Sequence, residues 1–220
     1  MKSWLTISSL VQKVFILVGV VIFMTIPKRG KKDYLELGLL LCLALITEIT
    51  TLVIIRVFHS NPNAAGNIYG LLNFPLAALL YRRRINLKNK NVIAFVSIAI
   101  YVGFSLINMI INGLFAFNTY TIVFEGACFI VMSLAYFYVL VQELPTESIS
   151  KLPMFWINTG NLVYYAGTFV ITLSTHYLIE ALNNDLSGVW MFHNFLGLIF
   201  YSILWYGMLL IRSEYLKRPE

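Results

Sequence analysis

Four ionisable side chains interrupt long apolar runs in this sequence: Lys13, Glu48, Glu125 and His193. A charged side chain at the centre of a membrane-crossing helix costs ~2.5–3.5 kcal/mol on insertion scales, so such residues pair with one another or meet water or ligand. Two acids, an amine and an imidazole in a medium of low dielectric can hold a proton, a counter-charge or a polar solute. Asn73, Asn108 and Asn194 fall within the same kind of run and would add amide donors and acceptors. Other chemistry is not legible. There is no H-E-x-x-H, G-x-S-x-G, paired catalytic aspartate or phosphate-binding glycine loop. The three histidines, His59, His176 and His193, are too scattered for a metal site, and Cys42 and Cys128 read as small packing residues. The expectation is a protein that is not an enzyme and holds no cofactor and no metal.

The elements that carry these residues are membrane spans. The chain has 220 residues, 59% hydrophobic and only 12% charged. Its mean hydropathy is +0.79. A soluble domain carries about 25% charged residues. Runs long enough for a bilayer, which needs about 20 residues, predict seven transmembrane helices: Leu5–Ile26, Tyr34–Ile55, Ala65–Tyr81, Val92–Asn112, Thr119–Val141, Pro153–Tyr177 and Ser187–Ile211. Lys13 breaks the first run and no small-x-small site precedes Pro27, so the first segment reads as a span and not a signal peptide. The whole chain, 1–220, reads as one all-α polytopic membrane domain.

Orientation follows from lysine and arginine in the short loops. One side would hold Lys28, Arg29, Lys31, Lys32, Arg82, Arg83, Arg84, Lys88, Lys90, Lys151, Arg212, Lys217 and Arg218; the other would hold only Lys2 and Arg56. This places the N-terminus outside and the C-terminus in the cytoplasm. Trp4 and Trp190 would mark the outer interface, Trp156 and Trp205 the inner one. The net charge of +6 is thereby a matter of membrane orientation and not of nucleic acid. Lys28–Lys32 and Arg82–Arg84 would touch anionic lipid heads, or dock a cytoplasmic partner.

Depth then groups the costly residues. At ~1.5 Å per residue, Glu48 lies two-thirds of the way out along its span, and Glu125 roughly 9 Å below the outer end of its own. Lys13, His193 and Asn194 fall near that level, with Asn73 slightly deeper and Asn108 slightly shallower. The sixth span adds a polar stripe, Asn158, Asn161, Tyr165, Thr168, Thr172 and Thr175, at steps of three and four that keep it on one helix face. Such a stripe turns to other helices or to water inside a bundle. Two readings follow. Either Lys13 pairs with one glutamate while the other bonds to asparagine or histidine, and the layer simply holds the bundle together, or the layer walls a pocket open to the outside. The tyrosines and phenylalanines read as lipid-facing or packing residues.

Two resemblances extend this. The pattern N-x-x-G-L-aliphatic occurs at Asn67–Leu72 and at Asn194–Ile199, each at the start of an inward span. Two parallel three-helix units joined by span four, a 3+1+3 layout, are similar to the sugar-transporting SWEET family. The stretch FWINTGNLVYYAGTF, Phe155 to Phe169, resembles the last-but-one helix of small bacterial seven-helix proteins that look like the membrane part of sensor histidine kinases. That resemblance implies a sensor or receptor-like role in the bacterial cytoplasmic membrane. With no kinase portion, output is expected to pass through a separate partner. The site expected to take a small ligand or proton is Lys13, Glu48, Asn73, Asn108, Glu125, His193 and Asn194, with Pro75 and Gly167 as flex points. The alternatives are a small-solute transporter and a purely structural bundle.

Overall fold

The computed structural model describes residues 2–143, 148–174, 177 and 186–217, with side chains from residue 7 onward. Thr175, His176 and Arg218 lie outside the described residues, as does the side chain of Trp4. The described chain is helical: α1 (Lys2–Met24), α2 (Lys28–Asp33), α3 (Leu35–Arg56), α4 (Asn63–Arg84), α5 (Lys90–Asn112), α6 (Thr119–Glu143), a 3-10 turn at Ile149–Lys151, α7 (Pro153–Leu173) and α8 (Ser187–Lys217). Among the described residues, α1, α3, α5, α6 and α8 are long and apolar enough to cross a membrane. The chain is a helical membrane protein. α4 and α7 are as long, at 22 and 21 residues, but carry the polar residues of the interior.

Differences from the expected spans lie at their ends. Hydrocarbon thickness limits the apolar run, not the helix, so α4 begins at Asn63 and α8 continues to Lys217. The basic loop after α1 coils into α2, with Pro27 just before it and the Lys31 N–H donating to the Pro27 carbonyl. Pro153 opens α7 at a position where its missing N–H costs nothing.

Six helices close a ring by pairwise contact: α1 on α3, α3 on α4, α4 on α6, α6 on α7, α7 on α8, α8 back on α1. α5 stands outside and packs on α4 and α6. The outer face of the ring is aliphatic, with Val14, Leu17, Ile46, Val53, Val131 and Val170 exposed. An aliphatic exterior of this extent suits lipid. The larger hydrophobic cluster includes the fully buried Ile157, Met208 and Ile211. The smaller joins Phe74, Ala77, Ala78, Tyr101 and Phe129. Trp205 is a packing residue, not an interfacial one: its ring stacks on Phe15 at 4.5 Å and its N–H donates to the Phe15 carbonyl.

The ring has two ends. One carries the start of α4 and is called the Asn63 end; the other carries α2 and the end of α4 and is called the Arg84 end. At the Arg84 end the basic triplet is mostly tied down. Arg83 pairs with the buried Glu36 at 2.8 Å. Arg84 donates to the Asp33 carbonyl and lies 3.7 Å over the Tyr34 ring. Burial pushes the Tyr34 phenol up to about 12, so it stays neutral beneath the guanidinium.

Glycine contacts set the α7–α8 spacing. A Cβ on Gly207 would lie 3.1 Å from Ile157 and 3.2 Å from the Pro153 carbonyl oxygen, a backbone atom that cannot swing aside. Gly103 in α5 faces open space. Gly207→Ala is therefore expected to destabilise by about 1–3 kcal/mol through overpacking. Gly103→Ala should be neutral or stabilising by up to ~1 kcal/mol. Thermal melting of both variants in detergent checks the pair; equal effects would contradict the packing described.

Candidate functional site

Three helices bring their polar faces together inside the ring. On α4, Tyr69, Asn73, Ala77 and Tyr81 recur at steps of four; on α6, Thr121, Glu125, Phe129 and Ser133 do the same; α7 supplies Asn158, Asn161, Tyr165 and Thr168. Steps of three and four hold each set to one face. Asn158 is fully buried, Asn161 and Thr168 nearly so, while Val163, Val170 and Leu173 on the opposite face of α7 are exposed. Thr172 donates to the Thr168 carbonyl at 2.9 Å.

Asn73 is the node. Its amide nitrogen donates to Glu125 Oε1 at 2.7 Å and to the Tyr165 hydroxyl at 2.7 Å, joining α4, α6 and α7. The Tyr165 ring stacks on Phe129 at 3.7 Å. Gly70, in the repeated asparagine–glycine pattern, makes room for this carboxylate: a Cβ there would lie 3.3 Å from Glu125 Oε2. The Tyr101 hydroxyl uses the same gap to donate to the Gly70 carbonyl at 2.9 Å. Two turns nearer the Arg84 end, the Tyr81 hydroxyl donates to Asn158 Oδ1 at 2.6 Å and accepts from Asn161 at 3.0 Å. The Asn158 amide donates in turn to the Ser133 carbonyl at 3.2 Å.

Above Glu125 the ring opens into a cavity of about 310 Å³, within the ~300–1,000 Å³ typical of small-molecule sites. Its wall contains Glu125 and His193, the amides Asn63 and Asn67, the hydroxyls of Thr51, Thr168 and Thr172, and the rings of Tyr69, Tyr164, Tyr165 and Phe117. Glu125 is its one formally charged lining residue. Pro62, Asn63 and Phe117 belong to loops and helix starts, so the cavity reaches the Asn63 end. Toward the Arg84 end it abuts a smaller cavity of about 60 Å³, which shares Tyr69, Tyr164 and Tyr165 as walls and reaches Leu37, Leu80 and Ile157.

The remaining expected site residues are elsewhere. Lys13 pairs with Glu48 at 3.0 Å and also donates to the Ser9 hydroxyl at 2.7 Å, so this ion pair sits at the α1–α3 contact. Glu48 shares an α3 face with Ala44 and Thr51, which line the two cavities, but is turned to Lys13 and does not line them. Asn108 accepts from Asn112 one turn along α5, outside the ring. Asn194 donates to Ser8 on α1 at 3.0 Å. The seven residues thus form not one layer of mutually facing groups but two clusters, one contact between neighbouring helices and one contact within α5. Only Asn73, Glu125 and His193 are gathered around the cavities. His193 reaches its place between the Tyr164 and Trp190 rings, at 5.8 and 5.7 Å.

Sequence reasoning placed Tyr165 in the polar stripe of α7 but missed the tyrosines on the other helices. Tyr81, Tyr101 and Tyr201 are buried, and the phenols of the first two carry polar contacts between helices. The signal was the four-residue register that places Tyr69 and Tyr81 on the face of Asn73. Among the described residues no three His, Cys, Asp or Glu side chains cluster as a metal site. No protein-family model, curated protein or solved structure matches this chain.

Asn73→Leu leaves the Glu125 carboxylate and the Tyr165 hydroxyl without their shared donor, which is expected to cost about 1–3 kcal/mol. Replacing both partners of a buried hydrogen bond is far milder than replacing one. Asn73→Leu combined with Glu125→Leu should therefore recover part of the loss in thermal melting. A double variant as unstable as the sum of the two singles would contradict the coupling.

Proposed function

We propose that this chain is a seven-span receptor-like protein of the bacterial cytoplasmic membrane that binds a small solute, or a proton, in the cavity at the Asn63 end. In this reading α1, α3, α4, α5, α6, α7 and α8 are the spans. The excess of lysine and arginine at the Arg84 end supports a cytoplasmic placement of that end, with the cavity facing outside. The observation that carries the reading is the cavity of about 310 Å³ with Glu125 and His193 in its wall.

The geometry also supplies a way to register binding. A solute that draws on Glu125 competes with Asn73, and Asn73 is what ties Glu125 to Tyr165 on α7. Loss of that tie frees α7 to shift on α8, where Gly167 sits so close to Leu196 that an added Cβ would meet it at 2.5 Å. Pro75, two residues beyond Asn73, removes a backbone hydrogen bond from α4 and softens it there. At the Arg84 end the exposed Lys28, Arg29 and Lys32 of α2 offer a basic surface to a cytoplasmic signalling partner. Arg83 and Arg84 are committed to Glu36 and Asp33 and contribute little to it.

One observation favours a second reading, a small-solute carrier. The cavity of about 60 Å³ continues the path inward behind Tyr69, Tyr164 and Tyr165, so only side chains interrupt it. α5 outside the ring is also compatible with two three-helix units joined by a linker. Counterflow in proteoliposomes separates the two: a carrier shows it and a receptor does not.

The receptor reading predicts that a thermal-shift screen of small polar and cationic solutes finds a compound that stabilises the wild type. At a hundredfold excess over Kd the gain is ~2.7 kcal/mol. Glu48→Gln should retain the shift, because Glu48 is outside the cavity wall, and Glu125→Gln should lose it. A shift equal in wild type and Glu125→Gln, or no compound at all, contradicts the reading.

A further inference from the structure

A second cavity, of about 340 Å³, lies on the outside of the ring between α4, α5 and α6. Its floor is built from small and flexible residues on three helices, Ala78, Ala94, Ala127, Cys128, Met132 and Ala135. Its lips are open to the surroundings, with Ile93 53% and Val131 66% exposed. The trough is almost wholly apolar except at one end, where Arg82 and Lys90 enter its wall. The Arg82 guanidinium is held 5.2 Å over the Phe95 ring. Among the described residues neither Arg82 nor Lys90 has an acidic partner.

Length and charge together specify an occupant. Along α4 the trough runs from Phe74 to Ile85, and along α6 from Phe124 to Ala135. Eleven steps of 1.5 Å give about 16 Å. That is the depth of one leaflet, half of a hydrocarbon core of about 30 Å. The cationic end coincides with the Arg84 end of the bundle, where α4 stops and α5 starts, and so falls at headgroup level. A second protein helix would have to place an acidic residue against the two cations. A phospholipid with a net negative headgroup places one there by construction.

We propose that this trough is a binding site for one anionic phospholipid, with an acyl chain along the alanines and the phosphate between Arg82 and Lys90. Neutral lipid matches the apolar floor equally well, so selection rests on the two cations. Contact of one basic residue with anionic lipid gives roughly a five-fold preference. The pair gives a preference on the order of ten- to thirty-fold over neutral lipid. This site is distinct from the polar cavity inside the ring and does not depend on what that cavity binds.

The test is native mass spectrometry of the purified full chain, titrated with phosphatidylglycerol and, separately, with phosphatidylcholine of the same acyl chains. The expected result is a first phosphatidylglycerol bound ten- to thirty-fold more tightly than the first phosphatidylcholine. Arg82→Gln with Lys90→Gln should abolish the preference. Lys151→Gln with Arg212→Gln, which removes two exposed basic residues away from the trough, should leave it intact. Ala127→Leu fills the floor without touching either cation and should weaken the first lipid of both kinds; Ala135→Leu serves the same purpose if the first variant does not fold. Equal binding of the two lipids overturns the proposal, as does a preference that survives loss of both cations. An Ala127→Leu protein that binds as wild type would reduce the site to surface charge and also overturn it. So would a lipid-free dimer that Ala127→Leu dissociates, since a second copy would then be the occupant.

Discussion

One buried amide holds the interior of this protein together. Inside a membrane a carboxylate, a phenol and an amide have no water to fall back on, so each must find its partner in the bundle. Asn73 meets that requirement for two neighbours at once, giving one hydrogen to Glu125 and the other to Tyr165. Three helices are thereby fixed in rotation about their own axes. The polar faces of α4, α6 and α7 turn inward and their aliphatic faces turn outward. The glycine one turn before the node on α4 lets the Glu125 carboxylate approach the helix backbone. Larger side chains there would push α6 away and open the contact that the node depends on.

The charged residues are divided accordingly. Lys13 and Glu48 neutralise each other where α1 meets α3, and the price of burying them is met locally. Glu125 has amide and hydroxyl neighbours, and the cavity above it is lined by aromatic rings. Toward the Arg84 end the Tyr81–Asn158–Asn161 network satisfies further buried amides beside the larger hydrophobic cluster.

Much of this was legible in the sequence because membrane spans announce themselves by length and apolarity. Five of the expected spans correspond to helices long and apolar enough to cross a membrane, and the α7 stripe was readable from its three-and-four spacing. Glu125 and Asn73 could be matched by depth because a helix rises uniformly. Depth does not encode azimuth, however. Glu48 and Glu125 share a level yet face different partners, since a nearby amine captured Glu48. Asn108 and Asn194 were at suitable depths but on helices or faces that point to α5's own turn and to α1. The tyrosines outside the α7 stripe were opaque for a different reason. A phenol is amphipathic, and only the neighbours decide whether its ring packs, as at Tyr136, or its hydroxyl bonds across the bundle, as at Tyr81. α2 was hidden because a short basic helix at the membrane surface has the composition of a loop.

The central claim is a water-accessible cavity that opens at the Asn63 end of the bundle and reaches Glu125. It is tested most directly by cysteine accessibility in sealed vesicles of known orientation, using a Cys42→Ser, Cys128→Ser background and a membrane-impermeant cationic thiol reagent. Cysteines replacing Thr168 and Thr172 should react with reagent added on the outer side and be inert to reagent on the cytoplasmic side, while a cysteine at Val163 on the opposite face of α7 stays unreactive from both. Unreactive Thr168 and Thr172 positions, or labelling from the cytoplasmic side alone, would contradict the account.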